Sequence, residues 1–478
     1  IGNSVINTGS LSAPGGEILL LAVPNAETVR LSQPGMLLSL EIEPTATGFI
    51  TANSATTIDP LSLPQLLTQS DIGNATGLAV TPEGQILLTG SGLRLDPTPG
   101  LTAITGNLNS SSISQGGSIG LLGTQVIALS GELQASGDLG GGKIWIGGNY
   151  KGEGNLPNAS QTFIGPEAQI SANATLAGSG GQVIVWADDS TRFYGSIAAT
   201  GGPQGGNGGF VEVSGKEYLT YRGSADVSAA QGQKGQLLLD PSSLSIIDSA
   251  PLPGTGSLAA TPSTNGGTLN ATDADAGANT VSWSQIGGSV GVADVILEAT
   301  GDITIAAPLT SPAISNNLVI RSTQGSIRAS TVATPLLLYV GELATVTLSA
   351  NGDVTLGNVT LTNKATAQVG NLQITSLSGN ISVGNIQTSY PYGSGDVTLT
   401  ALAGNIQFAS IDTSNGSGFG GDVTLATNRG VVQGTGTAAS GATIDTSSVN
   451  AAGNITITHG GGPNNWAFQV GLPTFNGT

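Results

Sequence analysis

The sequence predicts an all-β chain wound as a parallel β-helix, or β-solenoid, and three observations support that prediction. A glycine followed by a short alternating segment recurs from end to end, the recurrences fall about one coil turn apart, and the composition is that of a turn-rich repeat protein. At ordinary domain sizes 478 residues would make about three domains. The repeat argues instead for one elongated body.

The recurring segment reads GGEILLLA from Gly15, GGKIWIGG from Gly141, GGQVIVWA from Gly180 and GGFVEVSG from Gly208. Later it becomes GDITI at Gly301, GDVTL at Gly352, GNISV at Gly379, GNIQF at Gly404 and GNITI at Gly453. Side chains on a strand alternate between its two faces. The second and fourth residues after the last glycine are apolar, as in Ile144 and Ile146, Val183 and Val185, Val211 and Val213, Ile406 and Phe408, Val423 and Leu425. These are expected to face a shared core. The third residue varies (Trp145, Ile184, Glu212, Leu238, Thr304, Thr355, Thr398, Gln407, Thr424) and is expected to point outward.

The spacing supplies the winding. Gly209 to Gly235 is 26 residues, Gly301 to Gly325 is 24, Gly325 to Gly352 is 27 and Gly395 to Gly421 is 26. One such interval fits one turn of a solenoid, each strand lying parallel on its counterpart a turn below. The shorter steps from Gly379 to Gly395 and on to Gly404 read as different faces of one coil, since Gly379 to Gly404 restores a 25-residue turn. Glycine is expected to open each strand because sharp corners call for positive φ. Asp302, Asp353, Asn380, Asp396, Asn405, Asp422 and Asn454 follow such glycines and should stack into ladders that cap corner amides.

Only 9% of residues are charged, against about 25% in ordinary soluble domains, so glycine and small polar residues supply the wet surface. The net charge of −18 repels phosphate backbones and anionic lipid, which argues against nucleic-acid and anionic-membrane partners. With no cysteine, disulfides, thiolate catalysis and Cys-based metal sites are excluded. No apolar run reaches the ~18 residues of a transmembrane segment, and the chain opens at Ile1 without a signal peptide. A mature or partial piece of something longer is the expectation.

Two stretches break the rhythm. Residues 41–100 contain IDPLSLPQLLTQSD, where Leu61, Leu63, Leu66 and Leu67 around Pro64 suggest a short helix packed as an excursion from the coil. Residues 248–292, rich in Pro, Gly, Thr and Ala, read as a loop-rich joint. The expected blocks are therefore 1–122 with the excursion, a regular block 123–247, the joint 248–292 and a second regular block 293–478. Outward positions are bulky before the joint and mostly hydroxyl-bearing after it, so cover by loops or another molecule is expected on the earlier face.

The run GGKIWIGGNYKGEGNLPNASQTFIGPEAQISANA, then GGQVIVWADDSTRFYGSIAATGG, GGFVEVSGKEYL and GQLLLDPSSLSIID, resembles the body of filamentous-haemagglutinin-like proteins. The wording is most similar to large two-partner-secretion exoproteins of cyanobacteria. The likeness is strongest over 120–247, good near the start in INTGSLSAPGGEILLLAVP and SQPGMLLSLEIEP, and generic beyond 300. It implies a right-handed parallel β-helix exported through an outer-membrane β-barrel transporter, and a role as adhesin or surface filament. The family's N-terminal secretion domain, with its Asn-Pro-Asn-Gly signature, is not in this sequence, so export is implied by resemblance alone.

Some parallel β-helices are glycan-active enzymes, so acidic clusters need weighing. Asp188 and Asp189 in VWADDSTRFYG, near Arg192 and Tyr194, could in principle serve acid–base chemistry on a sugar. Adjacent residues at a strand end diverge, which favours a structural turn and no enzymatic role. Trp145 and Trp186 fall on outward positions, where they could stack on surface glycans or shield a neighbouring loop. His459 in ITITHGGG is the one histidine and makes no transition-metal site by itself. Asp273 and Asp275 in ATDADAG offer hard oxygen ligands for calcium, although no GGxGxD series accompanies them. The resulting expectation is a secreted structural and adhesive rod at the cell surface that stacks end to end with itself or neighbouring chain, with no cofactor; a carbohydrate-binding or glycan-active protein is the alternative.

Overall fold

The computed structural model describes residues 1–24, 99–247, 279–283, 286, 293–305, 314, 316–330, 335–341, 344–363, 368–389 and 391–468, with the backbone of five strands between 29 and 95. They form a parallel β-solenoid, nearly all-β, with strands stacked turn on turn in register. Two compact units emerge: Ile1–Gly235 with Leu252–Ala278, and Gln236–Pro251 with Asn279–Thr478. Ser118–Leu122 pairs directly with Lys143–Ile146 across the block boundary expected at 122, and residues 236–247 of the second expected block fall in the second unit.

Three strands make each turn. In the first unit one face stacks Glu17–Leu21, Ser118–Leu122, Lys143–Ile146, Gln182–Ala187 and Phe210–Gly215, all parallel. A second face stacks Val5–Asn7, Leu101–Ile104, Gln125–Gln134, Gln161–Ser171, Ser190–Phe193 and Tyr218–Tyr221. The far halves of the two long strands turn a corner at a register shift between Ala128 and Ser130 and start the third face. In the second unit the same plan gives Ala293–Ala299, Leu318–Ser322, Thr345–Ala350, Asn371–Ser376, Val397–Ala401, Val423–Thr427 and Ile455–Thr458 on one face. Ile381 stacks on Ile406 while Val397 sits between Leu372 and Val423, so Gly379 and Gly404 open one face a turn apart and Gly395 opens a different face of the same coil.

Alternation builds the core. Val295, Leu297, Leu318, Val346, Leu348, Ile374, Val397, Leu399, Val423 and Leu425 form continuous aliphatic columns sealed from solvent. In the first unit Ile119, Ile144, Val183 and Val211 do the same, and the rings of Phe193 and Tyr221 stack at 5.4 Å. Burying each such side chain stabilises by about 1.5–3 kcal/mol, and every column repeats this turn after turn.

Glycine opens the strands for a different reason from the one expected. Gly142, Gly181, Gly209, Gly395, Gly421 and Gly453 do not have positive φ. A Cβ at Gly142 would be driven into the carbonyl of Gly117, at Gly181 into that of Gly142, at Gly209 into that of Gly181, and at Gly421 into that of Gly395. Close stacking of corners, rather than left-handed backbone, excludes a side chain there.

The polar ladders form as expected. Asp302 Oδ1 accepts from the Ser326 amide at 2.8 Å, Asp353 from Asn380 at 2.8 Å, Asn380 from Asn405 at 2.8 Å and Asn405 from Val431 at 2.9 Å. At a second corner Asn371 accepts from Asp396, Asp396 from Asp422 and Asp422 from Asn454 at 2.9, 2.8 and 2.7 Å. Each side chain receives the N–H of the turn above, which satisfies corner amides that no strand partner reaches.

The first break begins earlier than position 41. Val29–Ser32 pairs antiparallel with Ser39–Ile42, and Gly77–Val80, Ile86–Thr89 and Arg94–Leu95 form an antiparallel sheet. The coil resumes where Thr102 stacks on Val5. The excursion is thus inserted within a single turn; the helix expected at 61–67 lies outside the described residues. At the second break, Thr280–Ser282 pairs with Leu244–Ile247 on the edge opposite Ile303–Ile305, so a strand out of chain order closes that sheet. The rest of this joint lies outside the described residues. Among the described residues no helix is long and apolar enough to cross a membrane.

Candidate functional site

A cluster of large polar and aromatic side chains lies on the outer face of the first unit. Strand register stacks Trp145, Ile184 and Glu212 in one outward row and Trp186 with Ser214 in the next. The first row points outward as expected and is covered by chain, the cover expected on this face: Ile184 and Glu212 are fully buried and Trp186 is 4% exposed. Leu238, another outward position, is also buried.

The covering element is an insertion in one turn. Ile144 to Val183 is 39 residues, where Ile119 to Ile144 is 25 and Val183 to Val211 is 28. The added chain folds outward over the row, through a 3₁₀ turn at Tyr150–Gly152 whose first amide is capped by Asn149 Oδ1 at 2.8 Å. Lys151 takes left-handed backbone, φ 53°, and its N–H lies 3.2 Å from both carboxylate oxygens of Glu212. A buried carboxylate is costly unless hydrogen-bonded, and the strap supplies that bond. Gly148 and Gly152 press on the Trp186 indole so closely that a Cβ would fall 2.8 and 2.5 Å from it.

Asp188 fastens the other side. Its Oδ1 accepts from Trp186 Nε1 at 3.0 Å and from Asn158 Nδ2 at 3.2 Å, and Asn158 also donates to the Gly152 carbonyl at 2.8 Å. The edge of the strap packs Tyr150 on Phe210, ring centroids 5.7 Å apart. Asp189 is exposed, Arg192 is buried and Tyr194 packs its ring 5.7 Å from Phe163. Asp188 is therefore a strap anchor, and Trp186, under its cover, has no open face for a sugar. Trp145 is half-buried.

His459 stands in for a strand carbonyl: in the preceding turn the equivalent amide, that of Ile406, donates to the Val431 carbonyl at 2.9 Å. Nδ1 accepts from the Val432 amide at 3.1 Å and Nε2 lies 3.1 Å from the Trp466 carbonyl, an arrangement satisfied by the neutral ring with its proton on Nε2. Asp273 and Asp275 lie outside the described residues, and among the described residues no three His, Asp or Glu side chains converge as a metal-binding group.

One open groove, of about 760 Å³, runs across several turns of the first unit. Ser111, Ser136, Ser171, Asn173, Asp138 and Thr175 line it, beside Pro14 and Ile113. Thr175 donates to Asp138 at 2.6 Å, and Ser136 Oγ accepts from the Asn173 amide at 3.1 Å. The groove therefore presents hydroxyls and amides at each turn, with its one acid engaged internally.

Sequence reasoning missed Glu212 as a strap anchor. Its signal was available: an acid stacked next in a row that Trp145 and Ile184 begin. No family model matches the chain, and no curated protein matches it.

Proposed function

We propose that this chain is a segment of a secreted structural and adhesive surface protein, in which the solenoid acts as a stiff spacer presenting its outer loops. The carrying observation is that, among the described residues, Asp188 and His459, which looked chemical in the sequence, bond to the coil itself. Asp188 and Glu212 hold a strap, the Asp and Asn rows cap the turn above, and His459 accepts an amide of the turn below. The resemblance to filamentous-haemagglutinin-like exoproteins supports the same reading, with export through an outer-membrane β-barrel transporter. A cysteine-free chain fits this route, since it can fold after export without an oxidation step. An antibody against the solenoid should label intact producing cells or their medium; labelling only after permeabilisation would refute the export reading.

Carbohydrate binding is the second reading, and the groove favours it. Its hydroxyl and amide lining suits a neutral glycan strand, with Trp145 half-exposed elsewhere on the same unit. A glycan array with the wild-type chain and Asn173→Ala tests it: binding lost in the variant supports the groove, and an array without hits removes this reading.

A further inference from the structure

We propose that His459 is a pH-sensitive latch: its neutral ring ties the segment 460–468 to the edge of one coil face, and protonation releases that segment. This goes beyond the spacer role and is independent of what the solenoid presents or binds.

The edge belongs to the face that stacks Ile303–Ile305, Ile327–Ala329, Val354–Thr355, Ile381–Val383, Ile406–Phe408 and Val432–Gly434. The opening amide of each strand donates to a backbone carbonyl of the turn above. Ile303 donates to Ser326 at 2.9 Å, Ile327 to Asp353 at 2.9 Å, Val354 to Asn380 at 2.9 Å, Ile381 to Asn405 at 2.8 Å and Ile406 to Val431 at 2.9 Å. Val432–Gly434 is the last described strand of that sheet, and its opening amide donates to His459 Nδ1 at 3.1 Å instead. Val432 is buried, so an amide left without an acceptor there would be costly.

The ring stands where earlier turns place only small side chains. Register sets Ser322, Ala350, Ser376, Ala401 and Thr427 over one another, all of them buried. The hydroxyls among them donate to the carbonyls of Gly301, Gly352 and Gly404 at 2.6, 2.8 and 2.7 Å. One turn on, Thr458 lies over Ala426, which puts His459 next in this column. An imidazole at that place reaches across to the edge amide of the following face.

Beyond the ring the chain leaves the strand path. Gly461 and Gly462 take positive φ, 79° and 64°, Gly462–Asn464 forms a 3₁₀ turn, and the Trp466 amide donates back to the Gly461 carbonyl at 2.8 Å. His459 Nε2 lies 3.1 Å from the Trp466 carbonyl, and the Phe468 ring packs 5.4 Å from the imidazole. One ring thus holds the edge on one nitrogen and the loop on the other. Both bonds form together only with a lone pair on Nδ1 and a proton on Nε2. In the imidazolium both nitrogens carry protons, so Nδ1–H would meet the Val432 N–H. The ring must swing away, and the loop tied to it follows.

Among the described residues packed around the ring, the strand Ile455–Thr458 and the segment 460–468 carry no other titratable side chain. The turn beneath, on whose backbone Gly460 packs, contributes Arg429. Asp422 stands at the far end of the neighbouring strand, where it accepts from the Asn454 amide at 2.7 Å. Arginine stays charged throughout, so the imidazole is the group here that changes charge between about pH 8 and about pH 5.

His459 is the one histidine in the chain, so histidine-selective labelling of the whole chain gives a single imidazole in nuclear magnetic resonance. At about pH 8 the nitrogen shifts should place the proton on Nε2. On acidification to about pH 5, exchange of the Val432 amide, corrected for its intrinsic pH dependence, should quicken about five- to tenfold as the ring titrates, the scale of one lost hydrogen bond. The Ile406 amide, held by a carbonyl, should not change, and its protection confirms a folded coil in each sample. His459→Asn puts an amide oxygen in the place of Nδ1 and should keep Val432 protected at both pH values. A ring that titrates with no change at Val432, a ring still neutral at the acid end, a proton on Nδ1 at the alkaline end, or acid release that persists in His459→Asn would each overturn the inference.

Discussion

The outer faces of the two units treat the same strand position in opposite ways. In the first, the outward row Trp145, Ile184, Glu212 is bulky, and a strap from residues 147–158 buries most of it. In the second, Thr347, Thr398 and Thr424 occupy the matching outward columns and stay partly open to solvent. Hydroxyl rows suit a bare solenoid face, being β-favouring and soluble at once. Large outward groups require cover, and the cover must in turn be anchored, here by Glu212 and Asp188. The difference teaches that in a coil whose inner face is fixed by aliphatic columns, the outer face decides where extra structure attaches.

The sharpest way to break this comparison is to place one charge at the same position in each unit. Ile184→Lys buries an ammonium under the strap and should destabilise the first unit by several kcal/mol, of the order seen for unpaired buried charge. Thr398→Lys should stay within about 0.5 kcal/mol of wild type, because its side chain reaches water. Urea unfolding followed by circular dichroism reads both; equal costs would end the distinction between covered and bare faces.

A second test asks what holds the strap. Trp186→Ala removes the buried indole and the bond to Asp188, at a cost of about 3–5 kcal/mol. Limited proteolysis with trypsin should then cut after Lys151, which the wild type protects, while fragments from the second unit remain unchanged. Cleavage at Lys151 in the wild type at the same rate would show that the strap is not held.

Ladder residues should matter less individually. Asn380→Ala leaves the Asn405 amide without its acceptor at 2.8 Å, and we expect a loss of about 1 kcal/mol, with Asn380→Asp nearer to neutral. The smallest effect concerns acid. Asp445 is held below its ordinary carboxylate value of 3.8, chiefly by the Ser440 side chain and then by Ser447. Because the folded value is depressed, the stabilisation is full above the ordinary value and fades as pH falls through the folded one. Asp445→Asn should therefore lower stability slightly at neutral pH and not at pH 2. A difference that grows on acidification would reverse the assigned sign.

Much of the fold was legible because it is written in short-range chemistry. The period-two alternation at Val397 and Leu399, the 25-residue return from Gly379 to Gly404, and the Asn380-type capping residues each specify their place without knowledge of distant chain. The role of glycine was misjudged at Gly142 and Gly181, because close stacking on the preceding corner is a contact between turns and positive φ is a local property. The excursion was placed too late for a related reason. Ser39–Ile42 looks like any other strand, and only its antiparallel partner Val29–Ser32 removes it from the coil. At the candidate site, Trp186 and Asp188 were visible as unusual residues. Their joint function was hidden, since burial under residues 147–158 depends on where that insertion folds.

Turn-on-turn register is the central claim, and the absence of cysteine makes it directly measurable. Thr398 and Thr424 are register partners on successive turns of the second unit. Parallel neighbours about 4.8 Å apart fall within the Cα separation that a disulfide spans. Oxidation of the Thr398→Cys, Thr424→Cys variant should give an intramolecular cross-link in high yield, seen by mass spectrometry. The Thr398→Cys, Ala426→Cys pair, two residues out of register, should cross-link poorly. Equal yields for the two pairs, or a preference for the second, would contradict the solenoid register described above.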